Sequence, residues 1–516
     1  MTPTEEIRQN QKEFERLKAQ GDLSENAART FANRAAELVI AHFEDEGRLL
    51  REAVELLCRL ATSKDRQIAR AGIQGLFPEL IERLNDSFNP AYCSLYDQLF
   101  VQVIEFCRRL PEGRLLDETL KQFGLADKTA LLVRKAEISK PKPQIPNPKS
   151  FDSIKKVLLP SRVTIGADVA VTSVLIAKLR HALPQAEFVI LGSPKLRELY
   201  GGDGRIRIRE IAYERGGTLL SRLTSWVNVV ETVQEELRGL REEEYWIVDP
   251  DSRLTQLGLL PLAENDGSYF FFESRSYKAA SATSIGQLAA HWAGELIGDT
   301  EPAYPFLALP EEHCNFGQRV ASALLNPVTI SFGVGGNERK RVSAEFEEDL
   351  IAGLSAQSKL ILDKGASPEE REQINRLVAR LRAQGKTVVE LNETNKADLI
   401  GAHLQQADVV TWDGGIGAFA GLIAGSNRYI GYDSAGQHIA AALGVPTLTV
   451  FVNSGNATFA RRWRPFGRGD IEVVTVEAKQ NQAPQQSVNC CGALPADDPF
   501  VLRTVETLLN QKAHRA

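Results

Sequence analysis

The chain has 516 residues, 43% of them hydrophobic and 25% charged, a globular composition too long for a single core, so two to four domains are expected. Its 61 Lys and Arg against 67 Asp and Glu leave a formal charge of −6, which argues against a general nucleic-acid binder, since that class carries a basic excess or a basic face. No apolar run reaches the roughly 18 residues that span a bilayer, and the opening MTPTEEIRQNQKEFERLKAQ is charged rather than signal-like, so a cytoplasmic protein is expected.

Residues 1 to 138 carry no strand signal. Segments such as EGRLLREAVELLCRLA and YDQLFVQVIEFCRRL repeat apolar residues at three and four, the spacing of amphipathic helices, and predict an all-α domain. SKPKPQIPNPKS then breaks the period with four prolines, which predicts a solvated linker over 139–152. From 153 the pattern alternates. SIKKVLL, AEFVILG, RIRIREIA and EYWIVDPD read as strands, with SVLIAKLRHAL as a helix after the first. A second series runs through NPVTISFGVGG, SKLILDKG, KTVVELN, ADVVTWDGG, RYIGYDS and PTLTVFV, with EEREQINRLVARLRAQG as its clearest helix. Such alternation predicts an α/β fold: two Rossmann-like lobes of parallel strands, over 153–324 and 325–480, followed by a tail and helix over 481–516. Ligands are expected at the carboxyl ends of the strands. The six cysteines at 58, 93, 107, 314, 490 and 491 show no metal-ligand spacing, so reduced thiols are expected.

Chemistry-bearing residues fall where strands hand over to helices. Asp168 follows the first strand of the first lobe, where a carboxylate could act as a general base or simply cap a helix. VTISFGVGGNERKR ends a strand in a turn whose Gly333, Gly335 and Gly336 could bring backbone amides to a diphosphate, with Lys340 adding charge. In LILDKGASPEEREQI, Glu369 or Glu370 could accept from ribose hydroxyls or cap the helix. YIGYDSAGQHIAAALG places Asp433 and Ser434 at a strand end and His438 in the next helix's first turn, a place suited to a phosphate, though a capping acid and a satisfied helix histidine read equally well. Two further patterns read as decoys. The DPD at 249–251 looks like a metal clamp but ends a strand of the first lobe, remote in sequence from the other motifs. GGIGAFAG looks like a dinucleotide loop but lies late in the second series, without an acid about 20 residues on.

Taken together, GADVAVTSVLIAKLRHALPQAEFVILG, TISFGVGGNERKRVSAEFEEDLIAGL and YIGYDSAGQHIAAALGVPTLTVF resemble the bacterial heptosyltransferases of glycosyltransferase family 9, over roughly residues 153–511. The resemblance implies a GT-B fold, two facing lobes here preceded by the all-α domain. It implies Asp168 as the catalytic base and Lys340, Glu369, Asp433, Ser434, Gly436 and His438 as donor contacts, beside the Gly335 and Gly336 of the glycine-rich turn. Ala435 and Ala167 replace glycines usual in that family, and Val342-Ser343 replaces a Trp-Pro. The activity implied is an inverting transfer without metal or other cofactor, from a nucleotide-diphosphate sugar, heptose as the first guess, to a hydroxyl of a glycan or lipopolysaccharide core. The alternatives are a non-catalytic scaffold that binds nucleotide or glycan, and a transferase whose protein acceptor docks on the helical domain. A nucleotide sugar and a glycan, lipid-linked or protein acceptor are thus the expected partners. Nucleic acid is not among them, and peripheral inner-membrane contact and homo-oligomerisation through the helical domain stay open.

Overall fold

The computed structural model describes residues 2–140, 148–213, 217–396, 402–453, 456–477, 502, 503 and 505–507. The core of the expected linker, the Cys490-Cys491 pair and most of the expected tail lie outside the described residues. Two compact units are present, one made of Met1–Val163, Gln185–Ser193 and Arg209–Lys278, the other of Thr164–Pro184, Pro194–Ile208 and Ala279–Ala516. This division does not follow the lobe borders expected from the sequence: the stretch carrying Asp168 belongs with the second series, and the helical region belongs with the first sheet.

In the first unit the helical region runs from Pro3–Gln20 to Lys128–Ile138. Its helices start where side chains take the orphan amides: Thr2 in a capping box with Glu5, Ser24 on Ala27, Asp65 on Gln67 and Ile68, and Asp127 on Thr129 and Ala130. The first sheet contains β1 (Lys156–Pro160), β2 (Glu187–Gly192), β3 (Ile206–Glu210), β4 (Tyr245–Asp249) and β5 (Tyr269–Phe271), in the order β3-β2-β1-β4-β5. β1 pairs in parallel with β2 and β4, and β4 with β5. Four of these strands are legible in the sequence; β5 is three residues long and is not.

One apolar core joins the helices to this sheet. It contains Leu57, Phe100 and Leu131 from the helices together with Leu158, Val189, Ile247 and Phe271 from the strands. Polar groups reinforce it. Arg134 donates to the Gly258 carbonyl at 2.8 Å and pairs with Asp266 at 2.7 Å, while the buried Lys135 pairs with Glu273 at 2.8 Å. The DPD stretch is committed to the same fabric. Asp249 accepts from Ser252 N (2.7 Å), Thr255 (2.6 Å) and Tyr269 (2.5 Å), and Asp251 from Ser274 (2.6 Å) and Arg275.

The second unit holds a seven-stranded sheet: β6 (Val328–Ser331), β7 (Leu360–Asp363), β8 (Val388–Asn392), β9 (Val409–Asp413), β10 (Arg428–Tyr432), β11 (Thr447–Asn453) and β12 (Ile471–Glu477). The order is β12-β11-β10-β6-β7-β9-β8, and every pairing is parallel. The chain enters at β6, builds outward on one side, then returns to β6 with β10, so the topological switch point lies between β6 and β10. The edge strand β12, IEVVTVE, is a further element the sequence reading omits. Of the expected C-terminal helix, residues 502, 503 and 505–507 are helical, and Val505 is fully buried in the core of this sheet. Among the described residues no helix is long and apolar enough to cross a membrane.

Because Lys135 is buried and Glu273 is its carboxylate, Glu273→Gln should lower unfolding free energy by roughly 1–3 kcal/mol. Because the helices and first sheet share one core, hydrogen exchange read by mass spectrometry across a urea titration should show peptides of the helix Pro90–Arg108 and of the strand Lys156–Pro160 opening at the same urea concentration. Opening of the helix peptides at a lower urea concentration than the strand peptides would contradict the shared core.

Candidate functional site

At the switch point, β6 ends in Ser331 and opens the turn Phe332–Asn337, while β10 ends in Tyr432 and opens onto Asp433, Ser434 and the helix Ala435–Leu443. The Lys340 ammonium spans these two strand ends. It donates to Asp433 Oδ2 at 2.6 Å and to the Asp433 carbonyl at 3.3 Å, and lies 5.6 Å from the Phe459 ring centroid. An ammonium has three N–H donors; among the described residues two are taken and one remains for a ligand, and the side chain is 29% exposed.

Asp433 is an anchor. Its Oδ2 holds Lys340, and its Oδ1 accepts from Gln437 Nε2 at 2.9 Å. The same Gln437 amide nitrogen lies 3.3 Å from His438 Nε2. Donation there leaves the imidazole proton on Nδ1. Burial pushes the His438 pKa down to about 4, opposed by the Asp433 charge and assisted by that of Lys340, so the ring is neutral at pH 7. The Trp463 ring packs edge-on against it with centroids 6.2 Å apart.

Ser434 is the N-cap of the helix Ala435–Leu443, in extended backbone, and its hydroxyl makes no capping bond. Gly436 is needed for close approach: a Cβ there would stand 2.1 Å from the Tyr429 hydroxyl oxygen. Ala435 is not among the residues with positive φ. Asp168 comes to the same helix. It sits in the wide turn Asp168–Thr172 of a helical run that begins at Ile165, and it is 1% exposed. Residues 165–167 and 168–172 both pack on the helix Ala435–Leu443, and a Cβ on Gly166 would lie 3.1 Å from Ala435 Cα and 3.3 Å from His438 Cδ2. The carboxylate is not unpaired: Thr172 Oγ1 donates to Asp168 Oδ1 at 2.9 Å. Its charge adds to burial in pushing the Tyr200 phenol pKa up.

The glycine-rich turns are occupied differently from expectation. Gly335 and Gly336 adopt φ of +63° and +80°, the left-handed region that favours glycine, and both are exposed. The Gly335 amide, however, donates to Glu370 Oε1 at 3.0 Å, beside that of Val334 at 2.8 Å, while Glu370 Oε2 takes the amides of Ala366 (2.9 Å) and Ser367 (3.1 Å). Burial raises the Glu370 pKa, and these four donors outweigh it to leave a net lowering. Glu369 is exposed on the first turn of the helix Pro368–Ala383. The decoy GGIGAFAG likewise has carboxylates on its amides, Glu393 on Gly415 at 2.7 Å and Glu198 on Gly417 at 2.8 Å.

The structure thus brings Lys340, Asp433, Ser434, Gly436 and His438 together with the turn of Asp168, and sets the Gly335 amide on Glu370. Gln437 and Glu370 are the residues that motif reading underrates. The Ser-x-x-Glu of a capping box, Ser367 to Glu370, was the available signal for the second; Gln437 offered none.

Gly436→Ala should cost about 1–3 kcal/mol of stability through the clash with Tyr429, measured by urea denaturation; an unchanged midpoint would refute the close approach. His438 binds its proton less readily folded than unfolded, where 6.5 is ordinary. Its contribution to stability is therefore complete above pH 6.5 and is lost as pH falls from 6.5 toward 4. Replacing it by Gln should flatten the stability decline over that window, and an identical decline in the variant would contradict the assignment.

The family model described as glycosyltransferase family 9 (heptosyltransferase) matches residues 390–491, a span containing Asp433, Ser434, Gly436 and His438. Among solved structures, the chain is similar to the glycosyltransferase family 9 protein of Veillonella parvula, with 14% identity, 69% of this chain and 97% of that chain covered, and a TM-score of 0.47. It is similar also to the E. coli heptosyltransferase WaaC with ADP (13% identity, 69% and 99% covered, TM-score 0.44) and to the E. coli ADP-heptose lps heptosyltransferase II (14%, 69% and 99%, 0.43). No curated protein sequence matches the chain. The resemblance carried by the Asp433-to-His438 stretch is thus shown over residues 390–491: the chain carries a glycosyltransferase family 9 segment, and its enzyme class is glycosyltransferase.

Proposed function

We propose that this glycosyltransferase moves a sugar from a nucleotide-diphosphate donor to an acceptor hydroxyl with inversion and without a metal ion. The observation that carries the reading is the packing of the Asp168 turn on the helix that follows Asp433 and Ser434: a buried carboxylate and a cationic, amide-rich helix start share one place. Asp168 takes the proton of the acceptor hydroxyl as its oxygen attacks the anomeric carbon from the face opposite the leaving diphosphate. Negative charge grows on that diphosphate as the bond to the sugar breaks. The third N–H of Lys340, the Ser434 hydroxyl, the neutral His438 and the first amides of the helix Ala435–Leu443 stabilise it, a role that a divalent cation fills in other enzymes. Asp433 serves this step by holding Lys340, and Gln437 by orienting His438.

Heptose on ADP is the first donor to test, because the matching family model is described by heptosyltransferase activity. A glycan or lipopolysaccharide-core hydroxyl is the acceptor this reading favours, with the work done in the cytoplasm at the membrane face. Release of nucleoside diphosphate provides the assay. Asp168→Asn should lower kcat by roughly 100-fold or more and leave the donor dissociation constant within a few-fold. Lys340→Ala should weaken donor binding by about 10-fold or more through loss of a charge-assisted hydrogen bond. Unchanged turnover in the first variant, or unchanged affinity in the second, would overturn the roles.

A further inference from the structure

The helical run from Ile165 to Ala182 and the helix Ala435–Leu443 begin at the candidate site and end at a second place. Their last turns line a cavity of about 810 Å³ with the extended strap Asp299–Phe306 and with Arg468, all within the second unit. Along one helix His181 lies about 20 Å beyond Asp168, and along the other Leu443 lies about 13 Å beyond Ser434, so the cavity sits at the opposite helix ends from the base and from the helix-start amides proposed above. The volume falls within the roughly 300–1,000 Å³ of small-molecule sites.

The walls pair planar rings with guanidinium groups. Tyr304 stacks on Phe466 with centroids 5.2 Å apart, and the Arg468 guanidinium carbon lies 5.1 Å from the Tyr304 centroid. Arg180 lies 5.3 Å from the centroid of Phe306. A guanidinium laid on a ring keeps its N–H edge for a planar or tetrahedral oxyanion. The other cations are partly committed: Lys178 pairs with Asp299 at 2.7 Å and Arg180 with Asp203 at 3.0 Å. Arg468 has its ring contact and, among the described residues, no ion pair. Basic residues in a helix's last turn complement its dipole, which accounts for Lys178, Arg180 and His181. It does not account for Arg468, which comes from the segment before β12.

We propose that this cavity binds a small molecule bearing an oxyanion, phosphate or carboxylate, with the anion on Arg468 and His181 and the apolar part against Pro305 and Leu443. A ligand there touches the far ends of the two helices that carry Asp168 and His438. The test is calorimetric titration of the full chain with inorganic pyrophosphate and, separately, with citrate, in the wild type, Lys340→Ala and Arg468→Glu. The expected result is a binding event that survives Lys340→Ala and weakens by 10-fold or more in Arg468→Glu. Response to pyrophosphate alone assigns a phosphate ligand, response to citrate alone a carboxylate, and response to both a site for either. Binding in Arg468→Glu equal to wild type, loss of all anion binding in Lys340→Ala, or no binding of either probe overturns the proposal. Should Arg468→Glu fail to fold, Arg468→Gln removes the same charge and is read the same way.

Discussion

The contact between Lys340 and Asp433, 2.6 Å from nitrogen to oxygen, is what the rest of the site depends on. It ties the loop after β6 to the end of β10, the two strands at which the second sheet reverses its direction of growth. An ammonium held this way keeps its position when no ligand is present, so binding does not have to order a long side chain. The carboxylate that holds it also holds Gln437, and Gln437 in turn meets His438. One buried acid thereby sets the geometry of both basic groups.

This arrangement shifts the expected anion site. Glycine-rich turns after strands invite a phosphate reading, and here two such turns already have carboxylates on their amides: Glu370 on Val334 and Gly335, and Glu393 and Glu198 on Gly415 and Gly417. A bound anion at those amides would have to displace a carboxylate. The helix Ala435–Leu443, whose N-cap Ser434 hydroxyl makes no capping bond, presents no such competitor. Of these three places, electrostatics and backbone donors agree at the third.

Much of this was legible in the sequence, for identifiable reasons. Strand and helix alternation marks parallel sheets because strands covered on both faces are apolar throughout, as in EFVILG. The Asp433-to-His438 stretch and Asp168 could be singled out because a strand-to-helix handover places side chains at a sheet's carboxyl edge. The strands β5 and β12 escaped, the first because three residues carry no period, the second because Glu472 and Glu477 give it the look of a surface segment. The family resemblance points to Glu369, whereas the capping-box spacing from Ser367 points to Glu370. The fusion of the helical region with the first sheet was not readable at all. It rests on pairs such as Arg134 with Asp266 and Lys135 with Glu273, more than 130 residues apart in the chain, and local patterns hold no record of such partners.

The integration of helices with the first sheet also bears on what the N-terminal region is for. A shared core makes it part of the scaffold, whatever surface it also offers.

The most direct measurement of the central claim is a double-mutant cycle between Lys340 and Asp433, using Lys340→Met and Asp433→Asn, read out as the dissociation constant of nucleoside diphosphate. If the pair acts as a unit, the two losses overlap and the coupling energy exceeds about 1 kcal/mol. Additive losses, with coupling near zero, would show that Asp433 does not position Lys340 for the ligand and would contradict the account.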